Sequence, residues 1–305
     1  MACRLNTFSF TLRPRVALHG DRPARGILTD RAGPFRALEH RFEVLSDVPG
    51  AVGVVGRLFA QFGDGAPGGR LTVYELLRTD TGRPYAILSD GALLHAGVDP
   101  GNALDWLITE VSRRAIASAH PLVVLHAGVV SYRGRGILMP APQDHGKSTL
   151  TTALIRAGCT FLSDEAAPID PRTGVVRPFF RPILLSPQSL AVFPGLAEAL
   201  PPDYEGFRNY QFHMTCEDVR SGSTGGPSSV DVIVTPRYEP GAATELEPFA
   251  AADCLLMMVT QCLNFDRVSA RAVPVLGNMV KRATCYQLTT SSASTAVDAI
   301  LRLFD

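Results

Sequence analysis

Apolar positions along the chain have two textures. Between residues 40 and 90 they come in short runs, and Phe42–Leu45, Leu71–Leu77 and Tyr85–Ser89 have strand-like content. The spacers DGAPGG (64–69), DTGRP (80–84) and SDG (89–91) are rich in turn-forming Gly, Pro, Asp and Ser. From Asp99-Pro100 onward, Leu104, Leu107, Ile108, Val111 and Ile116 recur at helical spacing. This predicts a helix to about Ser118, capped by Asp99. The second texture is denser. Leu122–Val130, interrupted only by His126, reads as one buried strand, and Arg133–Gly136 as a turn. Ile137–Pro140 reads as a strand, Ser148–Ala157 as a helix closed by Gly158, and Thr160–Leu162 as a strand. After a turn at 169–174, Val175–Phe180 reads as a strand pairing back.

Residues 186–229 are rich in Pro, Gly and Ser, and 206–229 reads as a long loop of the kind that often carries function. Its Asp218, Arg220 and His213 are candidate substrate contacts. Val230–Thr235 reads as a strand, and Ala250–Cys262, Val273–Arg282 and Ser294–Phe304 as helices. No internal repeat is visible. The change of texture divides the chain into an accessory α+β region, 1–118, and a second unit, 119–305, in which strands and helices alternate.

Charge narrows the function classes. The 305 residues carry 29 basic and 29 acidic side chains, with no basic run, which argues against a nucleic acid or a membrane surface as partner. No apolar window approaches the roughly 18 residues of a membrane span. The segment MACRLNTFSFTLRPR lacks the apolar core of a signal peptide, so a cytoplasmic protein is expected. The six cysteines have no C-x-x-C spacing and read as reduced thiols.

One bias changes the picture. Only Lys147 and Lys281 are lysines; every other basic residue is arginine. Lys147 lies in APQDHGKSTL (141–150), which matches the phosphate-binding pattern G-x-x-x-x-G-K-[ST] except that Ala141 replaces the first glycine. A tight loop around a phosphate suits the compact ammonium of lysine better than the planar fork of arginine. A strand before the loop and a helix after it would aim backbone N–H groups and the positive helix end at the ligand. Lys147 would reach the β- and γ-phosphates, and Ser148 would place its hydroxyl on Mg²⁺. Ala141, Gln143, Asp144, His145, Gly146, Lys147, Ser148 and Thr149 form the candidate nucleotide-binding set. Ala141 is costly only if its φ must be positive.

Asp164 and Glu165 follow the next strand, 17 and 18 residues after Lys147, where a parallel sheet would bring them to the rim that holds the loop. There an acid can hold Mg²⁺ or take the proton of an incoming hydroxyl. His126 is either a hydrogen-bonded core histidine or an imidazole aimed at phosphate or substrate. His145 either touches a phosphate or is exposed.

Together the residues 125–165, LHAGVVSYRGRGILMPAPQDHGKSTLTTALIRAGCTFLSDE, resemble the HPr kinase/phosphorylase family. A His-bearing strand, a phosphate loop, a helix ending in R-x-G and an acidic pair follow in the same order. Weaker likenesses continue through Arg181-Pro182-Ile183 and 235–241. The resemblance implies an α/β fold with a P-loop kinase core of the HPr kinase/PEP carboxykinase type, preceded by an α+β accessory region. It implies phosphoryl transfer from ATP with Mg²⁺ to a serine of a peptide or small protein. Asp164 would be general base, Glu165 its acidic neighbour and metal partner, Ser148 a metal ligand and His126 the active-site histidine, with Lys147 on the phosphates. Homo-oligomers occur among such enzymes and are an expectation here. The family's E-[VIL]-R-G segment is absent, with Arg181 and Arg237 as candidate substitutes, which points to an acceptor other than HPr. Two other readings stand beside this one: a nucleotide-binding regulator or pseudokinase, and a kinase of a small hydroxylated metabolite.

Overall fold

A computed structural model describes residues 30–63, 68–80 and 82–305. The N-terminal segment read for a leader, Cys3, Thr81 and most of the 64–69 turn lie outside the described residues. The architecture is mixed α/β with several sheets.

The first sheet has five strands in the order β1 (Arg31–Ala37), β2 (His40–Ser46), β3 (Leu71–Arg78), β4 (Tyr85–Ser89) and β5 (Ala92–Gly97). Only β2 and β3 run parallel, joined by helix α1 (Ala51–Phe59). Strand β2 buries alternate residues, so Phe42 and Val44 face the core. Helix α1 adds Val54, Val55, Leu58 and Phe59, and helix α2 (Pro100–Ala117) adds Leu104, Leu107, Ile108 and Val111. Asp99 caps α2 as expected, its side chain accepting from Asn102 N at 2.8 Å. Strands β1 and β5 and helix α1 escaped the hydrophobic pattern.

The run 122–130 is not one strand. β6 (Val123–Leu125) pairs with β10 (Ala167–Ile169), whereas β7 (Ala127–Tyr132) belongs to the second large sheet. His126 sits at the break, its N–H donating to Gln261 O at 2.8 Å. β7 forms a hairpin with β8 (Arg135–Pro140), followed by the loop, helix α3 (Lys147–Arg156) and β9 (Thr160–Ser163). Gly158, at φ 106°, turns the chain after α3, with Gly158 N on Ile155 O and Cys159 N on Leu154 O. Residues 175–180 form no strand; Val176 alone makes isolated bridges to Ile169 and Ser228.

Residues 206–229 are not a substrate-covering loop. β11 (Ile183–Leu185) leads into helix α4 (Pro187–Ala191) and later pairs with β12 (Phe212–Met214), which precedes helix α5 (Cys216–Val219). Met214, Cys216 and Val219 are buried in the core under α3. His213 is fully buried, Asp218 forms a capping box with Thr215, and Arg220 donates to Ile155 O and Cys159 O. All three expected substrate contacts are internal ties.

The second large sheet has six strands. Beyond β13 (Val230–Tyr238) lie β14 (Glu245–Pro248) and β15 (Thr284–Thr290), giving the order β14-β15-β13-β8-β7-β9. Helices α6 (Ala251–Thr260) and α7 (Phe265–Arg282) pack on one face, and α3 and α8 (Ala293–Leu301) on the other. Helix α7 starts eight residues before the sequence reading placed it and carries Pro274 inside. Val268, Ala272, Leu276 and Met279 bury one stripe of it, which outweighs the hydrogen bond that proline removes.

Candidate functional site

The sheet is mixed, not parallel as the rim argument assumed. Antiparallel β7 separates β8 from β9, pairing Val129 with both Leu138 and Ser163. β8 and β9 therefore run in the same direction and end at one edge, where β8 releases the loop and β9 releases Asp164. Helix α3 packs close above them. A Cβ on Gly128 of β7 would lie 2.6 Å from Thr151 Oγ1, so the strand needs glycine for the helix to sit there.

Positive φ occurs in the loop at Asp144 (64°) and Gly146 (83°), and Ala141 is not among the positive-φ residues. The glycine missing from the pattern is thus not required for a left-handed turn. Ala141 is instead fully buried. Gly146 caps α3, and a Cβ there would meet Tyr238 Cβ at 3.4 Å. The Lys147 ammonium is folded back into the loop, donating to Ala141 O at 2.9 Å and Pro142 O at 2.7 Å. Burial lowers its pKa, opposed by the charges of Asp164, Glu165 and Asp144.

Asp164 is 2% exposed. Its Oδ1 has no hydrogen-bond partner. Burial raises its pKa above the ordinary carboxylate range. Glu165 pushes the same way, whereas Ser148, Arg181 and Lys147 oppose. An unmet acceptor buried this deeply costs about 1–3 kcal/mol, more when charged. Glu165 differs: its side chain is 40% exposed, with Oε2 3.4 Å from Arg181 Nη1 and Oε1 3.8 Å from His126 Nε2. Burial raises its pKa, but Arg181, His126 and Lys147 together outweigh that and hold it below the usual value. The His126 pKa is lowered as well, mainly by burial, with the Glu165 charge opposing.

Lys147, Ser148, Asp164, Glu165 and His126 therefore converge, and of the two candidate substitute arginines Arg181 joins them. Of the rest of the candidate set, Ala141 and Asp144 act on Lys147 through a carbonyl and a charge, and Gly146 caps α3. Gln143 and Asp144 are exposed, His145 Nδ1 lies 2.9 Å from Gln143 O, and Thr149 Oγ1 donates to Ser189 of α4 at 3.0 Å. Arg237 pairs with Glu239 at an exposed position. Thr235, on β13 beside the loop strand, carries a buried hydroxyl without a partner; the sequence reading touched it only as the start of the weak likeness at 235–241.

Among the described residues no cluster of three or more His, Cys, Asp or Glu side chains forms a metal cage. Mg²⁺ does not need one, since it binds through one or two carboxylates together with phosphate oxygens and waters. The Ser148 hydroxyl, the unpartnered Asp164 oxygen and Glu165 fit that requirement.

The cluster sets the loop lysine and the start of α3 against an acidic pair. No protein-family model matches the chain and no curated protein matches it. Among solved structures it is similar to the HPr(Ser) kinase/phosphatase from Coxiella burnetii, at 12% identity and a TM-score of 0.29, over 59% of this chain and 95% of that chain. Values this low transfer no activity to this chain. Among the described residues, no helix is long and apolar enough to cross a membrane.

Proposed function

We propose that the protein is a kinase that transfers the γ-phosphoryl group of ATP to a serine hydroxyl of a peptide or small protein, with residues 119–305 as the P-loop catalytic unit and 1–118 as accessory. The observation that carries this reading is the unpartnered Asp164 Oδ1, buried beside Ser148 and within electrostatic reach of Lys147. Backbone N–H groups of the loop and the N-terminus of α3 hold the phosphates, and Lys147 leaves its two carbonyls for them. Ser148, Asp164 and Glu165 would hold Mg²⁺, which when bound supplies charge neutralisation at the phosphates.

The acceptor hydroxyl approaches along the exposed side of Glu165. Its oxygen forms the new bond to the γ-phosphorus as the bond from that phosphorus to the β–γ bridging oxygen breaks. The electron pair leaves with ADP. The hydroxyl proton passes to Asp164, whose raised pKa suits it to a base. Positioning and charge stabilisation supply most of the rate in such transfers. The acceptor class comes from the sequence resemblance at 125–165.

Incubation with labelled ATP, Mg²⁺ and serine peptides tests the reading. Lys147→Ala and Asp164→Asn should each lose about 10²–10⁴-fold in transfer. Full activity in both variants would end it. A second reading, nucleotide binding without transfer, is favoured by the engagement of Lys147 with the loop carbonyls. It predicts thermal protection by ATP and no phosphorylated product with peptides, free serine or other small alcohols.

A further inference from the structure

Arg181 lies outside every motif that defines the loop, yet it is the least satisfied buried cation at this edge of the sheet. It is 8% exposed, its Nε has no hydrogen-bond partner, and its Nη1 reaches Glu165 Oε2 only at 3.4 Å, near the limit of a hydrogen bond. Unmet guanidinium nitrogens also occur at Arg57, which pairs with Asp218, but two other structural arginines are closely engaged. Arg113 grips Glu110 through two 2.7 Å bonds, and Arg220 closes on two carbonyls at 2.7 and 2.8 Å. Holding Glu165 in place does not account for a buried guanidinium with donors to spare.

The position of Arg181 is fixed from behind. Phe179 is buried in the core and its N–H donates to Leu162 O at 2.8 Å, tying this segment to the strand that ends in Asp164. Arg181 N–H donates to Phe179 O at 2.9 Å, and Pro182 follows, so the backbone that carries the guanidinium is constrained on both sides. The groups within its electrostatic reach are Glu165, Asp164 and His126, members of the candidate site. A guanidinium held rigid at a site that would take a triphosphate matches two phosphoryl oxygens at once.

We infer that Arg181 is a second phosphate-binding cation of this site, supplied from the segment ahead of β11 and directed at the terminal phosphoryl group, so that the protein distinguishes ATP from ADP through it. The inference rests on the nucleotide reading of the site. It does not require that transfer occurs.

Calorimetry on the full chain with Mg²⁺ measures the affinities for ADP and for a non-hydrolysable ATP analogue in wild type, Arg181→Gln and Arg181→Lys. Arg181→Gln should weaken the ATP analogue about tenfold or more, the worth of a charge-assisted hydrogen bond, and leave ADP within about twofold. Arg181→Lys, which keeps the charge without the fork, should fall between, and it serves if Arg181→Gln fails to fold. A purely structural Arg181 would shift both nucleotides or neither, and an unchanged ratio in the folded Gln and Lys variants overturns the inference. A collapsed ratio in a protein that phosphorylates nothing would sustain Arg181 and remove the kinase. Failure of the wild type to bind either nucleotide would remove both.

Discussion

Two buried histidine–carboxylate clusters in this protein have opposite bookkeeping. In the first, His213 Nε2 lies 2.5 Å from Asp105 Oδ1 and its Nδ1 lies 2.7 Å from the Tyr204 hydroxyl, which also accepts from His213 N at 2.8 Å. Asn209 Nδ2 donates to the second Asp105 oxygen at 3.3 Å. Each named polar group in it has a partner, and the network ties α2 to the segment around β12. In the second, His126 is 3.8 Å from Glu165, Arg181 is 3.4 Å from it, and Asp164 Oδ1 and Arg181 Nε have no partner. The two share residue types but not satisfaction. The closed cluster holds the fold together, whereas the open one leaves polar capacity unmet, which the proposed function assigns to a nucleotide.

Removing the acid from each cluster should therefore move stability in opposite directions. Asp105→Ala leaves His213 Nε2 buried without its partner and should cost about 3–5 kcal/mol, as breaking a buried pair does. At about 2–4 °C per kcal/mol that is a melting temperature lower by roughly 6–20 °C. Nucleotide affinity, measured well below the transition, should stay within about twofold. Asp164→Asn should instead raise the melting temperature at neutral pH by about 2 °C, for a gain on the order of 1 kcal/mol. The sign follows from the raised pKa. The folded state holds that proton more tightly than the unfolded chain, so stability falls as pH rises from the ordinary carboxylate value through the folded one. The amide variant escapes that loss. Thermal melts of both variants decide the contrast, and equal losses would erase it.

The open cluster should also set the pH profile of transfer. Asp164 must be ionised to accept a proton, so the acid limb of kcat/KM should lie above the ordinary carboxylate range. Lys147 must stay protonated, and burial brings the alkaline limb below the ordinary lysine value. The negative charge of Glu165 raises the pKa of Asp164, so Glu165→Gln should move the acid limb to lower pH. A limb that stays in place would assign that titration to another group. Asp105 and His213 lie in the closed cluster, and conservative changes there should leave both limbs alone.

The two clusters were not equally legible in the sequence. Helix α2 and its Asp99 cap could be read because their signals are local, and the loop with Lys147 and Ser148 is a contiguous string. The acidic pair could be found by its spacing from that string. Arg181 surfaced only as a stand-in for a missing segment, because its contact with Glu165 depends on how residues 166–180 cross the sheet. The closed cluster was misread. His213 and Asp218 sit in a stretch whose Gly, Ser and Pro content suggested a loop, while Met214, Cys216 and Val219 in that stretch are buried. Strand β15, TCYQLTT, has too few apolar residues to declare itself and is placed by parallel pairing with β13. The run 122–130 gave no sign that the two sides of His126 join different sheets.

The smallest expected effect concerns the residue that made the loop doubtful. If Ala141 were a damaged position, Ala141→Gly would restore the pattern and tighten nucleotide binding. The geometry argues otherwise. Positive φ falls at Asp144 and Gly146, Ala141 is completely buried, and its carbonyl already accepts from Lys147. A glycine there gains no conformation the loop uses. It removes a buried methyl and loosens the unfolded chain, so the variant should lose about 0.4–1 kcal/mol, a melting temperature lower by roughly 1–4 °C. Affinity for ATP should remain within about twofold of wild type, because backbone amides, not the side chain at 141, meet the phosphates. A tenfold gain in affinity would mean that the loop is strained at its first position after all. The open cluster would then owe part of its unmet polarity to a distorted loop instead of to an absent ligand.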